Sequence, residues 1–205
     1  MWYILVKGGW IMLPLAICSL VTVTIIIERF FFFRGIGGEN RAEEVIGLVR
    51  KGLFAEALRI TDETKGSKLP PLPVMKVLST GIMHPLEAGS MEAAAITEVA
   101  AMKRGLVALD TIVTLSPLLG LLGTIIGMIK SFNVMSAAGL GQPHAVTGGV
   151  AEALIATATG IAIAVVTLIP YNYFLANVER ETDVIEVWAT RLEGALNTPS
   201  KEQGQ

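Results

Sequence analysis

The chain has 205 residues and a formal net charge of −2 at pH 7; 52% of it is hydrophobic and only 17% is charged. Its mean hydropathy is +0.60, and a soluble domain usually carries about 25% charged residues, so the composition describes an integral membrane protein. It offers no basic, aromatic-interleaved patch for nucleic acid. It has one cysteine, Cys18, where a disulfide or paired-cysteine metal site needs two, and only two histidines, His84 and His144.

Residues 1–9 are expected on the outer side of a membrane. The apolar run from Trp10 to Ile27 exits into Glu28-Arg29 and four phenylalanines, which predicts a first transmembrane helix over 10–33, since about 20 apolar residues cross a bilayer. Ile17 is too bulky for the residue before a processed lipoprotein cysteine, so Cys18 reads as apolar filler within the span. Residues 34–105 form a hydrophilic cytoplasmic region that reads as helical. Val45, Leu48 and Val49 fall on one stripe of a helix over 41–51. Phe54, Ala57, Leu58 and Thr61 suggest a second, and Pro73 opens a third that ends near His84-Pro85. From Met91 nothing breaks a helix before Gly105, which a long helix tolerates. One helix is therefore expected to run from the cytoplasm into a second span over 106–132.

An outer loop, 133–145, leads to a third span over 146–175, which is expected to overrun the membrane into a cytoplasmic helical tail, 176–205. In that tail Val178, Ile185, Trp188, Leu192 and Leu196 keep a helical stripe while Glu179, Arg180, Glu181, Asp183 and Glu186 face water. Counting Arg29 and Arg34, the region between the first two spans holds eleven of the sixteen Lys and Arg residues. Basic excess marks the cytoplasmic side, which puts the N-terminus outside and the C-terminus in the cytoplasm. The fold class is all-α, with three transmembrane helices and the second and third extended into a cytoplasmic bundle.

Glu152 is the only carboxylate between Asp110 and Glu179, and it opens an uncharged run from Ala153 to Ala176. An ionised carboxylate there costs ~2.5–3.5 kcal/mol on insertion scales, while a charge crossing ~100 mV gains ~2.3 kcal/mol. The two are of one size, so a proton gradient can load and unload such an acid. Around it, Ser116, Gly120, Gly123 and Gly127 recur at helical spacing on the second span, as do Ala156, Gly160 and Ala164 on the third. In lipid, small residues at this spacing let helices approach closely. Pro117 and Pro170 each free a backbone carbonyl one turn earlier. Thr124 and Thr157 are candidates to line a polar path with Glu152, although a membrane threonine ordinarily returns its hydroxyl to its own backbone. At about 100° per residue, Thr159 shares the face of Glu152, whereas Thr157 is turned away and placed to reach across an interface between helices. Both stand as candidates.

The stretches Ser116-Pro-Leu-Leu-Gly-Leu-Leu-Gly-Thr124-Ile-Ile-Gly-Met-Ile-Lys-Ser-Phe132 and Gly148-Gly-Val-Ala-Glu152-Ala-Leu-Ile-Ala-Thr157-Ala-Thr-Gly160 resemble the MotA/TolQ/ExbB proton-channel family. The resemblance is closest to its ExbB/TolQ branch, dense over 105–177 and looser elsewhere. Three spans agree with that branch rather than with the four-span flagellar motor stators. The resemblance implies that Glu152 is the pore-facing acid and that Thr124 and Thr157 are pore threonines, which ranks Thr159 lower. It implies a homopentameric ring in a bacterial inner membrane, enclosing single-span partners of the ExbD/TolR type whose Asp accepts the proton, and working with a TonB- or TolA-like protein. It implies no cofactor, the proton being the transported ion. Two residues depart from the family pattern. Asp110 is an extra acid near the inner end of the second span, and Lys130 lies at its outer end, where snorkelling to the headgroups is the expectation.

The expected function is a proton-channel (stator) subunit that turns the proton motive force into work at the outer membrane. It is either ExbB-like, energising TonB-dependent import, or TolQ-like, maintaining the cell envelope. A solute transporter would call for an inverted repeat or broken-helix pair, which the sequence does not offer. A membrane scaffold, with Glu152 merely bonded across an interface, would pass no protons. No nucleophile–base constellation or metal-ligand spacing points to an enzyme.

Overall fold

A computed structural model describes residues 9–36, 39–63, 72–85, 87, 89–138 and 143–197. Most of the expected outer N-terminus, the middle of the expected outer loop and the end of the tail lie outside these, as does the side chain of His144. All regular structure among the described residues is helical: α1 Met12–Arg34, α2 Glu39–Arg50, α3 Phe54–Glu63, α4 Pro73–Met83, α5 Ser90–Lys103, α6 Leu106–Ala138 and α7 Pro143–Asn197. Three segments are long and apolar enough to cross a membrane, one in α1, one leading through α6 and one in α7.

Two boundaries differ from expectation. The helix expected to run unbroken from Met91 into the second span stops at Lys103: Arg104 is extended (φ −56°, ψ 133°) and Gly105 takes φ +80° before α6 begins. Left-handed backbone is cheap only for glycine, so Gly105 ends one helix instead of being tolerated within it. At the other end α6 continues to Ala138, past the expected limit at 132, because Asn133 to Ala138 contains no breaker.

The described chain divides into two compact units. The first comprises residues up to Glu28 together with Gly105–Tyr173. Its helices α6 and α7 run antiparallel and meet along small residues. A methyl group on Gly120 would come within 3.0 Å of the Ala156 carbonyl and the Thr157 Cα. On Gly127 it would come within 2.8 Å of the Gly149 carbonyl, and on Gly160 it would run into the Ser116 carbonyl. Backbone thus packs on backbone, the arrangement by which helices gain van der Waals contact in lipid. The start of α1 adds Ile11, Met12 and Leu15, which pack with Leu119, Ile126, Ile155 and Ile163. Farther along, Thr22 and Thr167 share a hydrogen bond of 3.3 Å between α1 and α7.

The second unit comprises Arg29–Arg104 and the chain from Phe174 onward. Its core is built from large side chains: Val45, Met75, Leu78, Met102, Phe174, Val178, Ile185 and Leu192 are all buried. The tail stripe is therefore inward as expected, while Glu179, Arg180, Asp183 and Glu186 are exposed. Phe33 stacks on Phe174 with ring centroids 5.6 Å apart. Arg29, only 3% exposed, donates to the carbonyls of Ala101 at 3.1 Å and Met102 at 3.2 Å. The Ala101 carbonyl keeps a 3.4 Å bond from the Arg104 N–H where α5 stops, and a cation suits a helix C-terminus, whose last carbonyls lack helical partners.

Candidate functional site

Because α6 and α7 are antiparallel, each step forward along one is matched by a step back along the other, and their polar residues fall into levels. At the level nearest the connection between the two helices the Lys130 ammonium donates to Glu152 Oε1 at 2.9 Å. The Glu152 side chain is 25% exposed and that of Lys130 is 54% exposed. Glu152 also lies against Gly9, the turn residue whose carbonyl accepts from Met12 N as α1 begins. Gly9 has φ +73°, and a methyl group there would overlap the Glu152 carboxylate. The acid is thus enclosed by the Gly9 turn, by Lys130 and by its own helix.

This revises the expectation for Lys130. The residue does not simply extend toward headgroups; it neutralises the carboxylate on the neighbouring helix, 22 residues away in sequence. An ion pair removes much of the cost of holding either charge in a low-dielectric setting, provided the geometry is good.

The middle level lies five residues farther along α7, about 7.5 Å at 1.5 Å per residue. Here Thr157 Oγ1 donates across the helix pair to the Gly120 carbonyl at 3.0 Å. Glycine at 120 lets α7 approach that carbonyl closely, so the small residue and the threonine act as a pair. Thr124 returns its hydroxyl to the Leu121 carbonyl at 2.6 Å, and Thr159 returns its own to Ile155 at 2.8 Å. Of the three threonines, Thr157 is the one that bridges the two spans.

The seam residues Ser116, Gly120, Gly123, Gly127 and Gly160 all lie where α6 meets α7. Ser116 is fully buried, and its hydroxyl finds no hydrogen-bond partner among the described residues. Pro117 and Pro170 both sit inside helices. At the level farthest from that connection, the Tyr171 side chain of α7 lies near Asp110 on α6. Sequence reasoning singled out Asp110 but missed Tyr171. No signal in the sequence alone could have found it: Tyr171 falls level with Asp110 only once the structure sets Glu152 level with Lys130. Among the described residues no cluster of three or more His, Cys, Asp or Glu could hold a metal ion.

A family model for the MotA/TolQ/ExbB proton channel family matches residues 77–187. A Synechocystis protein named biopolymer transport protein ExbB-like 3 is 33% identical over 200 residues, covering 91% of this chain and 90% of its own. A Vibrio cholerae biopolymer transport protein of the ExbB type is 32% identical over 168 residues, covering 74% of this chain and 69% of its own. The Tol-Pal system protein TolQ of Pseudomonas aeruginosa is 37% identical over 92 residues, covering 45% of this chain and 40% of its own. The matched region takes in α6, the membrane part of α7 and the whole ladder from Lys130–Glu152 to Asp110–Tyr171, and this chain belongs to the MotA/TolQ/ExbB proton channel family.

Proposed function

We propose that the chain is the proton-conducting subunit of an inner-membrane motor and that Glu152 is the acid its protons load. The observation that carries this is the setting of Glu152: the one carboxylate of the sequence between Asp110 and Glu179, three-quarters buried and, among the described residues, ion-paired with Lys130. A carboxylate so placed has that partner to lose. Protonation cancels the attraction to Lys130 and frees the side chain, and ionisation restores the pair. A charge falling through ~100 mV gains ~2.3 kcal/mol, enough to bias such a two-position element. Thr157, anchored on Gly120, supplies the next hydroxyl inward, and Thr124 lies on the opposed helix at the same level.

In this reading several copies, five by family resemblance, form a ring. Its α6 and α7 helices enclose single-span partners of the ExbD/TolR type, each bringing the second acid. The N-terminus faces outward, and the second unit with the tail forms a cytoplasmic helical bundle. The energised process is import of the ExbB kind, through a TonB-like protein. Similarity to the Synechocystis and Vibrio cholerae ExbB-type proteins extends over most of the chain, whereas similarity to the Pseudomonas aeruginosa TolQ covers 45% of it. A TolQ-like envelope motor is the second reading, supported by 37% identity over that shorter stretch.

The test is proton uptake into liposomes holding the chain with its single-span partner under an imposed membrane potential. The complex should conduct, and Glu152→Gln should reduce uptake to that of empty liposomes while leaving the size of the complex unchanged. A Glu152→Gln complex conducting at the full rate would remove Glu152 from the pathway.

A further inference from the structure

We propose that the second unit joins neighbouring copies of this chain head to tail. An apolar ridge flanked by arginines, on one side of the α7 tail, seats in an acid-lined groove between α5 and α7 of the next copy. The inference rests on the ring of copies proposed above and adds which surfaces meet.

The groove encloses about 660 Å³ between α5 and the tail of α7. Ile96 and Val99 of α5 and Ala189 of α7 give it an apolar floor, and Glu92, Glu186 and Glu193 stand along it. All three acids are exposed, and so is Ile96, at 63%. On a unit whose other large side chains fill its interior, covering such an isoleucine gains the free energy of its removal from water.

The ridge follows one face of α7. Arg180, Val184, Val187 and Arg191 stand at i, i+4, i+7 and i+11, within about 60° of one another at about 100° per residue. Val187 is exposed, and the Arg191 guanidinium lies over the Trp188 ring, 4.7 Å from its centroid. This spacing is how an amphipathic helix presents anchors to a groove.

Position and charge make the occupant a second copy. Glu186, Ala189 and Glu193 lie about 160° around α7 from the ridge, so a copy cannot seat its ridge in its own groove. The contact is heterologous, the kind that generates a ring when the rotation closes. In a ring of parallel copies, equal residue numbers lie at equal heights, which sets Arg191 within about 3 Å of the height of Glu193. Glu92 shares that level, because its neighbour Met91 and Leu192 both pack on Gly81 of α4. From there α5 runs back along α7 to Lys103, which lines the groove with Thr182 and comes level with Asp183 at the edge of the ridge. Opposite charges at both ends fix the register and disfavour a reversed pairing.

The experiment uses the full chain assembled with its single-span partner in lipid. Cys18→Ser removes the one native thiol. On that background Ile96→Cys combined with Val187→Cys should give, on oxidation, a covalent ladder of linked copies, and either cysteine alone should leave monomers. Arg191→Glu should lower the yield of the ladder roughly tenfold, about 1.4 kcal/mol, as should Glu92→Arg combined with Glu193→Arg. All three charge changes in one chain should bring the yield back, a rescue that a misfolded tail would not show. A photo-crosslinker in place of Ile96 should capture a second copy. Capture of the single-span partner there, or dimers from Ile96→Cys alone, would overturn the proposal, as would charge changes that fail to rescue each other. No ladder from a complex that native mass spectrometry still counts as several copies refutes these surfaces and leaves the ring standing. A wild-type complex holding one copy of the chain would sink the ring itself.

Discussion

In the unit that contains the spans, α6 and α7 meet through Ser116, Gly120, Gly127 and Gly160, with carbonyl against Cα. Their large side chains point away, and Leu118, Leu154 and Ile169 are all more than 60% exposed. In the other unit the order is reversed. Phe174, Met75, Leu78 and Leu192 fill the interior, and charged residues of the same α7 helix face out. One helix thus obeys two rules along its length. Where the surroundings are apolar, burying a leucine gains little and close backbone approach gains more. Where they are aqueous, removing apolar area from water dominates.

The largest effect that separates these regimes is expected in the second unit. Phe174→Ala removes the stacked partner of Phe33 and should cost about 3–5 kcal/mol, read as a lowered midpoint in thermal unfolding of the purified complex. Because no polar level is touched, complexes that survive should conduct protons normally.

Glycine substitutions sharpen the contrast, since the two units should respond with opposite sign. Gly160→Val in the first unit drives a branched side chain into the Ser116 carbonyl and Gly120. Overpacking of this kind costs about 1–3 kcal/mol and should appear as loss of assembled complex. Gly47 sits within α2 with open space where a methyl group would go, so Gly47→Ala should stabilise by about 0.8–1.0 kcal/mol. Unfolding midpoints for both variants check the pair, and a shift in the same direction would erase the distinction.

A smaller effect is expected at Thr157. Thr157→Val keeps the shape but deletes the bond to the Gly120 carbonyl, and such bonds in membranes average about 0.6 kcal/mol. Stability should barely change while proton uptake falls, and unaltered uptake would separate this hydroxyl from the pathway.

How much of this was legible in the sequence follows the same division. Helix existence was readable throughout, because a stripe such as Val178, Ile185 and Leu192 depends only on local period. The small-residue seam was readable too, since Gly120, Gly123 and Gly127 announce close approach whatever their partner. Gly105 misled, because a glycine within a helix and a glycine ending one look alike until a neighbour such as Arg29 takes up the freed carbonyls. The pairings Lys130–Glu152 and Asp110–Tyr171 were out of reach for another reason. They depend on the register of two antiparallel helices, which was not visible in either helix alone. Helical phase by itself ranked Thr159 with Glu152, but it could not show that Thr157 faces Gly120 across the pair.

The most direct measurement is a structure of the chain assembled with its single-span partner in lipid. The account predicts that the Glu152 carboxylate of each copy lies on the wall of a central bore, beside the partner's helix and within reach of Lys130. A carboxylate turned to the acyl chains, or standing in bulk water away from every neighbouring helix, would contradict it.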